Sequence, residues 1–261
     1  MNNRYKIIFI EFCLSILIPF SATTQVLDLG IKAGMSISYR DIMTNNKFQP
    51  MPSDMHRLAA FTGGLMLNLR IGERWFFHSE VLFADKGLRQ ITHNDSLMDK
   101  QGKMYYANST ERFYTHNYYL HFPQTIRYSI PLNKKNFWSV YFELGGYFAY
   151  YLTSKLVWKT TYPDYSTNGV DHYDDVSRWE DFPGVSIHRL NWGGTACLGL
   201  LVNLWMGKLD FNIQYDHDIQ PYISDQITIA DKSFNSKVYL EFLSITIGYS
   251  LPVLNKKLKN Y

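Results

Sequence analysis

The stretch Val238 to Leu251 reads V-Y-L-E-F-L-S-I-T-I-G-Y-S-L and alternates from Leu243 onward. Leu243, Ile245, Ile247 and Tyr249 fall on one face, and Ser244, Thr246, Gly248 and Ser250 on the other. A period of two marks a β-strand with one apolar face, because successive side chains point to opposite sides of the pleat. The second face here is small and polar, which suits the lumen of a narrow barrel standing in lipid. That reading needs enough further strands in the chain to close a ring.

Seven candidate strands precede it. The first, Leu27 to Tyr39, sets Ile31, Ala33, Met35 and Ile37 against Lys32, Gly34, Ser36 and Ser38. The second, Ala60 to Leu69, opposes Phe61, Leu65, Leu67 and Leu69 to Thr62, Gly64, Met66 and Asn68. A tight turn, 70–74, follows, in which Gly72 can supply a positive φ. The third, Trp75 to Leu88, puts Phe77, Ser79, Val81 and Phe83 opposite His78, Glu80, Leu82 and Lys86. The fourth, Tyr114 to Ile130, has Tyr118, Leu120, Phe122, Ile126 and Tyr128 against Tyr119, His121, Thr125 and Arg127. Its Pro123 lacks a ladder donor, so an edge or a bulge is expected there.

The fifth, Phe137 to Leu152, alternates Trp138, Val140, Phe142 and Leu144 with Ser139, Tyr141, Glu143 and Gly145, and Gly145-Gly146 suits a bend or a close strand approach. The sixth, Leu190 to Leu204, carries Ala196, Leu198, Leu200 and Val202 on its apolar face. The seventh is the cleanest: Leu209, Phe211, Ile213 and Tyr215 oppose Asp210, Asn212, Gln214 and Asp216. Connections run long, short, long, short, long, short, long, as in transmembrane barrels with short periplasmic turns and longer outer loops. The segments 153–187 and 218–236 are expected as outer loops. Strands of about 10 to 14 residues at ~3.3 Å each, tilted about 40°, cover the ~25 Å apolar band. Aromatics fall in two girdles: Trp75, Tyr128, Trp138, Trp205 and Tyr249 at the short-turn end, and Tyr39, Tyr114, Tyr150, Tyr151 and Trp192 at the long-loop end. In the competing soluble barrel or sandwich the apolar face would point inward. Its outer face would then be rich in Lys and Glu, whereas here it carries Gly, Ser, Thr, Asn and single charges.

Composition permits the membrane reading. A hydrophobic fraction of 46% is what a soluble chain also shows, but lumen and loop residues dilute the apolar ones. The aromatic fraction of 16% is more telling, since Tyr and Trp favour sites with one apolar and one wet end. A net charge of +3 gives no footprint for nucleic acid. Residues 1–24 are expected to be a signal peptide, with basic Arg4 and Lys6, an apolar Ile7 to Phe20, and small residues from Ser21. An anchor would need about 20 apolar residues and this segment offers fewer. Cys13, in I-E-F-C, lacks the small residues that precede a lipidated cysteine. Cleavage leaves Cys197 alone, which excludes an intrachain disulfide, and makes residues 25–261 the barrel domain. With no later apolar run of helix-spanning length, any membrane span is built from strands.

In order and spacing, five segments resemble the small outer-membrane β-barrel family labelled PorT-like: Gly30-Ile31-Lys32-Ala33-Gly34, Trp75 to Gly87 with its E-V-L-F-A-D-K-G core, Tyr119-Leu120-His121-Phe122-Pro123, Phe142-Glu143-Leu144-Gly145 and Ile245-Thr246-Ile247-Gly248-Tyr249. The resemblance implies an eight-stranded outer-membrane barrel, and one class within the family is linked to a protein-secretion system.

The candidate site is a polar lumen network of Lys32, Glu80, His121, Arg127, Glu143, Asp210 and Asp216. It reads either as a polar pore or proton path, or as a plug. The plug is favoured, because side chains fill an eight-stranded barrel and buried charges pair. The acidic loop residues Asp164, Asp171, His172, Asp174, Asp175, Glu180 and Asp181 lack the spacing of a calcium loop and read as a solvated outer loop. A lipid-modifying enzyme would draw on His116, Ser186 and His188, but no nucleophile–base motif supports them, so no catalytic residue is assigned. Asn108-Ser109-Thr110 has the N-x-T form and the tail Lys256-Lys257-Leu258-Lys259 is expected to stay solvated. The expectation is an all-β, eight-stranded antiparallel up-and-down barrel, monomeric, in the outer membrane of a Gram-negative-type bacterium, with a structural or binding role. Its expected partners are outer-membrane lipid and lipopolysaccharide and envelope or secretion proteins, with no nucleic acid, cofactor or metal.

Overall fold

The computed structural model describes residues 26–44, 47–49, 55–57, 59–94, 97–98, 104–105, 109–133, 137–163, 170–177, 186–221, 223–229 and 232–255. The expected export segment, Asn108, the lysine-rich tail, and Asp164, Glu180 and Asp181 lie outside them, as do the side chains of Asp171, His172, Asp174 and Asp175.

Eight strands form the wall: β1 (Val26–Thr44), β2 (Ala59–Arg70), β3 (Trp75–Asp85), β4 (Ser109–Pro131), β5 (Trp138–Pro163), β6 (Leu190–Asn203), β7 (Lys208–Asp218) and β8 (Lys232–Asn255). Each pairs antiparallel with its neighbour in sequence. β8 returns to pair with β1 from Val26↔Asn255 to Thr44↔Ser236, so the ring is closed. Closure removes the unpaired edges that an apolar-faced sheet could not carry in lipid.

The alternation of the sequence is the alternation of the wall. Ile245 is 60% exposed while Thr246 beside it is 2% exposed. Ile31, Met35, Phe61, Leu65, Leu144, Leu198 and Ile213 all point outward, whereas Lys32, Glu80, Glu143, Asn212, Gln214 and Ser244 are buried inside. The apolar side is therefore the outside, opposite to a soluble barrel. Ser79 and Gln124 are polar residues on the outward face, and they bond to each other, with Gln124 Nε2 donating to Ser79 Oγ at 2.7 Å.

The turns at one end are short. Arg70 closes the β2–β3 turn by donating from Nε to the Gly72 carbonyl and from Nη2 to the Glu73 carbonyl, each at 2.9 Å. The Gly72 backbone stays out of the positive-φ region, so the turn does not use the freedom expected of it. The β6–β7 turn is held by Leu204 N–H donating to the Gly207 carbonyl at 2.7 Å. Trp75, Trp138 and Trp205 are exposed at this end, with Trp75 against Tyr128 at 4.7 Å.

At the other end the strands run on further than the alternation predicts. The β4–β5 ladder extends to Thr161↔Thr110, and Val170–Ser177 adds to β5 while Leu88–Asn94 adds to β4. Ile223–Ile229 pairs with the start of β8. Segments expected as loops thus contain β-ribbons. A bulge explains why β5 looked finished at Leu152: the register shifts between Tyr151 and Thr153. An extra residue flips the faces. Tyr151 is buried on the inward side and so are Ser154 and Leu156. Tyr151 therefore does not join the outer girdle; it meets Tyr119 edge-on inside the barrel at 5.5 Å.

Pro123 lies inside β4 at neither an edge nor a bulge. The β3–β4 ladder passes from Ser79↔Gln124 to Leu82↔His121 with the intervening rungs missing and the register unchanged. The wall accepts the proline as a gap in hydrogen bonding. Gly145 is a close approach: a Cβ there would lie 2.0 Å from the Gln124 carbonyl oxygen.

Candidate functional site

The inward faces of β1 to β8 converge on a lumen filled by ionisable side chains. From the short-turn end, Lys208 Nζ donates to Asp28 Oδ2 at 2.5 Å. Beside them is a cavity of about 10 Å³ lined by Asp28, Asn68, Phe76, Arg127, Ser129, Leu201 and Lys208. That is room for about one water molecule.

Arg127 crosses the barrel above this cavity. Its Nε donates to Glu143 on β5 and its Nη2 donates to Asp210 on β7 at 3.0 Å. The guanidinium carbon sits 3.8 Å from the centroid of the Tyr141 ring, and the Tyr141 hydroxyl donates to Asp210. Thr125 Oγ1 donates to the second oxygen of Glu143 at 2.9 Å. One cation therefore ties β4, β5 and β7 together through charge-assisted bonds, whose geometry suits the planar guanidinium.

The next level is held by Lys32, whose Nζ donates to Glu80 Oε1 at 2.7 Å and to Gln214 Oε1 at 3.4 Å. His78 bridges Glu80 and Asn68, with 2.6 Å on each ring nitrogen. Gln214 in turn donates to both oxygens of Asp216, and His121 Nε2 lies 3.4 Å from Asp216 Oδ2.

Toward the long-loop end the lumen becomes aromatic. Lys86 Nζ lies 5.1 to 5.2 Å from the ring centroids of Tyr119, Tyr147 and Phe242 and 4.0 Å from Asp218 Oδ1. Asp218 accepts from the Tyr147 hydroxyl and from the Leu240 N–H at 3.2 Å. His121 packs on Tyr147 at 4.6 Å, so the aromatic level is continuous with the charged one.

All seven residues expected in the lumen lie there: Lys32 pairs with Glu80, Arg127 pairs with Glu143 and Asp210, and His121 lies near Asp216 without a hydrogen bond to it. The network also holds His78, Asn68, Thr125, Tyr141 and Gln214, each on an inward position of the same alternation. Lys86, Tyr147 and Asp218 were not singled out. Lys86, just after β3, falls on the inward face that the alternation of the third strand gives it, whereas Asp218 ends β7, where alternation gives no facing.

His116 Nδ1 is 2.7 Å from Asp85 Oδ2, on the wall. Ser186 lies in a short strand, Ser186–Ile187, that pairs with Ile223–Ser224, and His188 follows that strand. Among the described residues, no group of three or more His, Cys, Asp or Glu is placed to hold a metal ion, and Cys197 is buried with a free thiol.

A closed antiparallel ring, apolar outside and ion-paired within, defines a transmembrane β-barrel. The chain belongs to the family of the outer membrane protein beta-barrel domain, whose model matches residues 22–223. Among curated proteins nothing matches it. Similar solved structures include the outer membrane protein OprG from Pseudomonas aeruginosa, 13% identical over 87% of this chain and 97% of that one, with a TM-score of 0.42. The attachment invasion locus protein Ail of Yersinia pestis is 13% identical over 86% of this chain and 98% of its own, with a TM-score of 0.29. The outer membrane protease OmpT from Escherichia coli is 10% identical over 89% of this chain and 99% of its own, with a TM-score of 0.35.

Proposed function

We propose that this outer-membrane barrel is a closed scaffold: it conducts nothing and carries β-ribbons outside the membrane for binding. The observation that supports this most is the Arg127–Glu143–Asp210 and Lys32–Glu80 cross-bracing of the lumen. Opening a water path would strip these buried charges of their partners, at a cost of several kcal/mol for each ion left unpaired. The β4–β5 ribbon with its added strand Val170–Ser177 supplies the surface that a partner would meet. Export through the signal segment 1–24 accompanies this reading. The PorT-like motifs add envelope or secretion-system proteins as the partner class. No residue is given a catalytic role.

Purified barrel reconstituted in planar bilayers should produce no stable conductance steps. Reproducible, long-lived openings in the wild-type protein would overturn the closed-scaffold reading.

A further inference from the structure

The outward face of the wall changes character just beyond the apolar band on the β4–β5 side. Cross-strand pairing gives the rows. Thr153 pairs with Tyr118, Lys155 with His116, Val157 with Tyr114, and Lys159 with Arg112. On the other side of β4, Arg89 pairs with Tyr114 and Ile91 with Arg112. Directly paired residues share a face, so Arg89, Arg112, His116, Lys155 and Lys159 form one contiguous basic patch on the outside of the barrel.

Its height follows from strand geometry. Two residues along a strand tilted about 40° climb ~5 Å. Below the patch the outward positions Ile126, Ile130, Leu144, Phe148 and Leu152 are apolar and exposed. Tyr118 marks the boundary, stacked on Phe83 beneath it at 5.6 Å and on His116 above it at 6.2 Å. The basic groups therefore lie ~5 to 15 Å beyond Tyr118, starting within a headgroup layer ~5 to 7 Å deep and reaching past it.

Among the described side chains, the charges there are not balanced within the wall. Arg112 and Lys159 face each other directly, and like charges in that arrangement repel. Lys159 has Asp174 across its other ladder and His116 has Asp85. No described carboxylate pairs with Arg89, Arg112 or Lys155, and Arg89 Nε is buried without a hydrogen-bond partner among the described residues. Among the described side chains of the opposite wall, the outward pair at the outer end is His217 with Glu241, at 3.2 Å.

We propose that this column is a binding site for a phosphorylated glycolipid of the outer leaflet. Its phosphate is held by Arg89, Arg112 and Lys155, and its acyl chain lies along Tyr118, Phe83 and Leu152. Guanidinium forks suit phosphate oxygens, and the aromatic stack continues into the apolar band where a chain would run. The site lies on the outward side of the β4–β5 ribbon, where the ribbon leaves the apolar band.

Native mass spectrometry of the detergent-purified barrel tests this, with bisphosphorylated lipid A, its fully dephosphorylated form and inorganic phosphate as probes. The wild-type barrel should retain bisphosphorylated lipid A. Affinity should fall at least ~10-fold both for the dephosphorylated lipid and in a variant carrying Arg89→Gln, Arg112→Gln and Lys155→Gln, as losing three basic groups at an anionic headgroup layer implies. Inorganic phosphate should not compete, and Arg112→Lys should retain binding. Equal binding of the two lipids by the wild type, a step that needs no variant, overturns the proposal. So does full competition by inorganic phosphate, or undiminished binding by a triple variant that still shows the heat-modifiable gel migration of a folded barrel.

Discussion

Arg127→Met should lower the stability of the folded barrel by about 3–5 kcal/mol, as expected when one partner of a buried ion pair is removed. The methionine fills much of the arginine's volume, so the loss comes from what it leaves behind. Glu143 and Asp210 are both buried and both accept from this guanidinium. Without it Glu143 keeps Thr125 and Asp210 keeps Tyr141, which are neutral donors and do not offset two desolvated carboxylates. Adding Glu143→Gln and Asp210→Asn to Arg127→Met should recover most of the loss, because the orphaned charges then disappear. Urea titration of the barrel in lipid vesicles, followed by tryptophan fluorescence, measures both. A single variant as stable as the wild type would mean that the lumen is wet enough to solvate the acids.

Ile213→Arg should cost about 2–4 kcal/mol in the same titration, the range for a basic residue on the lipid face near the midplane. Ile213 lies midway along the outward face of β7, 50% exposed, between Leu198 on β6 and Ile245 on β8. The adjacent change Asn212→Ser should be mild, within about 1 kcal/mol, because serine keeps a polar group beside Thr246 Oγ1 in the lumen. Equal costs for these two neighbours would contradict the facing of the wall.

Much of this barrel was legible because lipid forces a rule on a strand: the face that meets it is apolar. β7 obeys it from Leu209 to Tyr215, and the facing of every residue there follows from the sequence. The rule fails where it is locally broken. The bulge at Leu152 inverts the alternation, so the outer third of β5 read as loop and Tyr151 was given the wrong side. Pro123 was expected at an edge or bulge because the sequence does not show that a neighbouring ladder can leave out two rungs. The membership of the lumen was legible for the same reason as the wall. Its pairing was not: that Arg127 reaches Asp210 across 83 residues depends on the stagger of strands around the ring, which no single strand encodes. Lys86 and its three rings come from β4, β5 and β8 and the residue after β3, and only closure brings them together.

The claim beneath all of this is that lipid covers the face bearing Ile31, Leu65, Leu198 and Ile245. It is tested most directly by diluting the urea-unfolded polypeptide 25–261 out of denaturant, once into buffer and once into lipid vesicles, and recording far-ultraviolet circular dichroism with gel mobility before and after heating. The β-sheet signal and the heat-modifiable band should appear only with vesicles, and the buffer sample should aggregate. A monomeric, folded β-protein in buffer free of lipid and detergent would contradict the account.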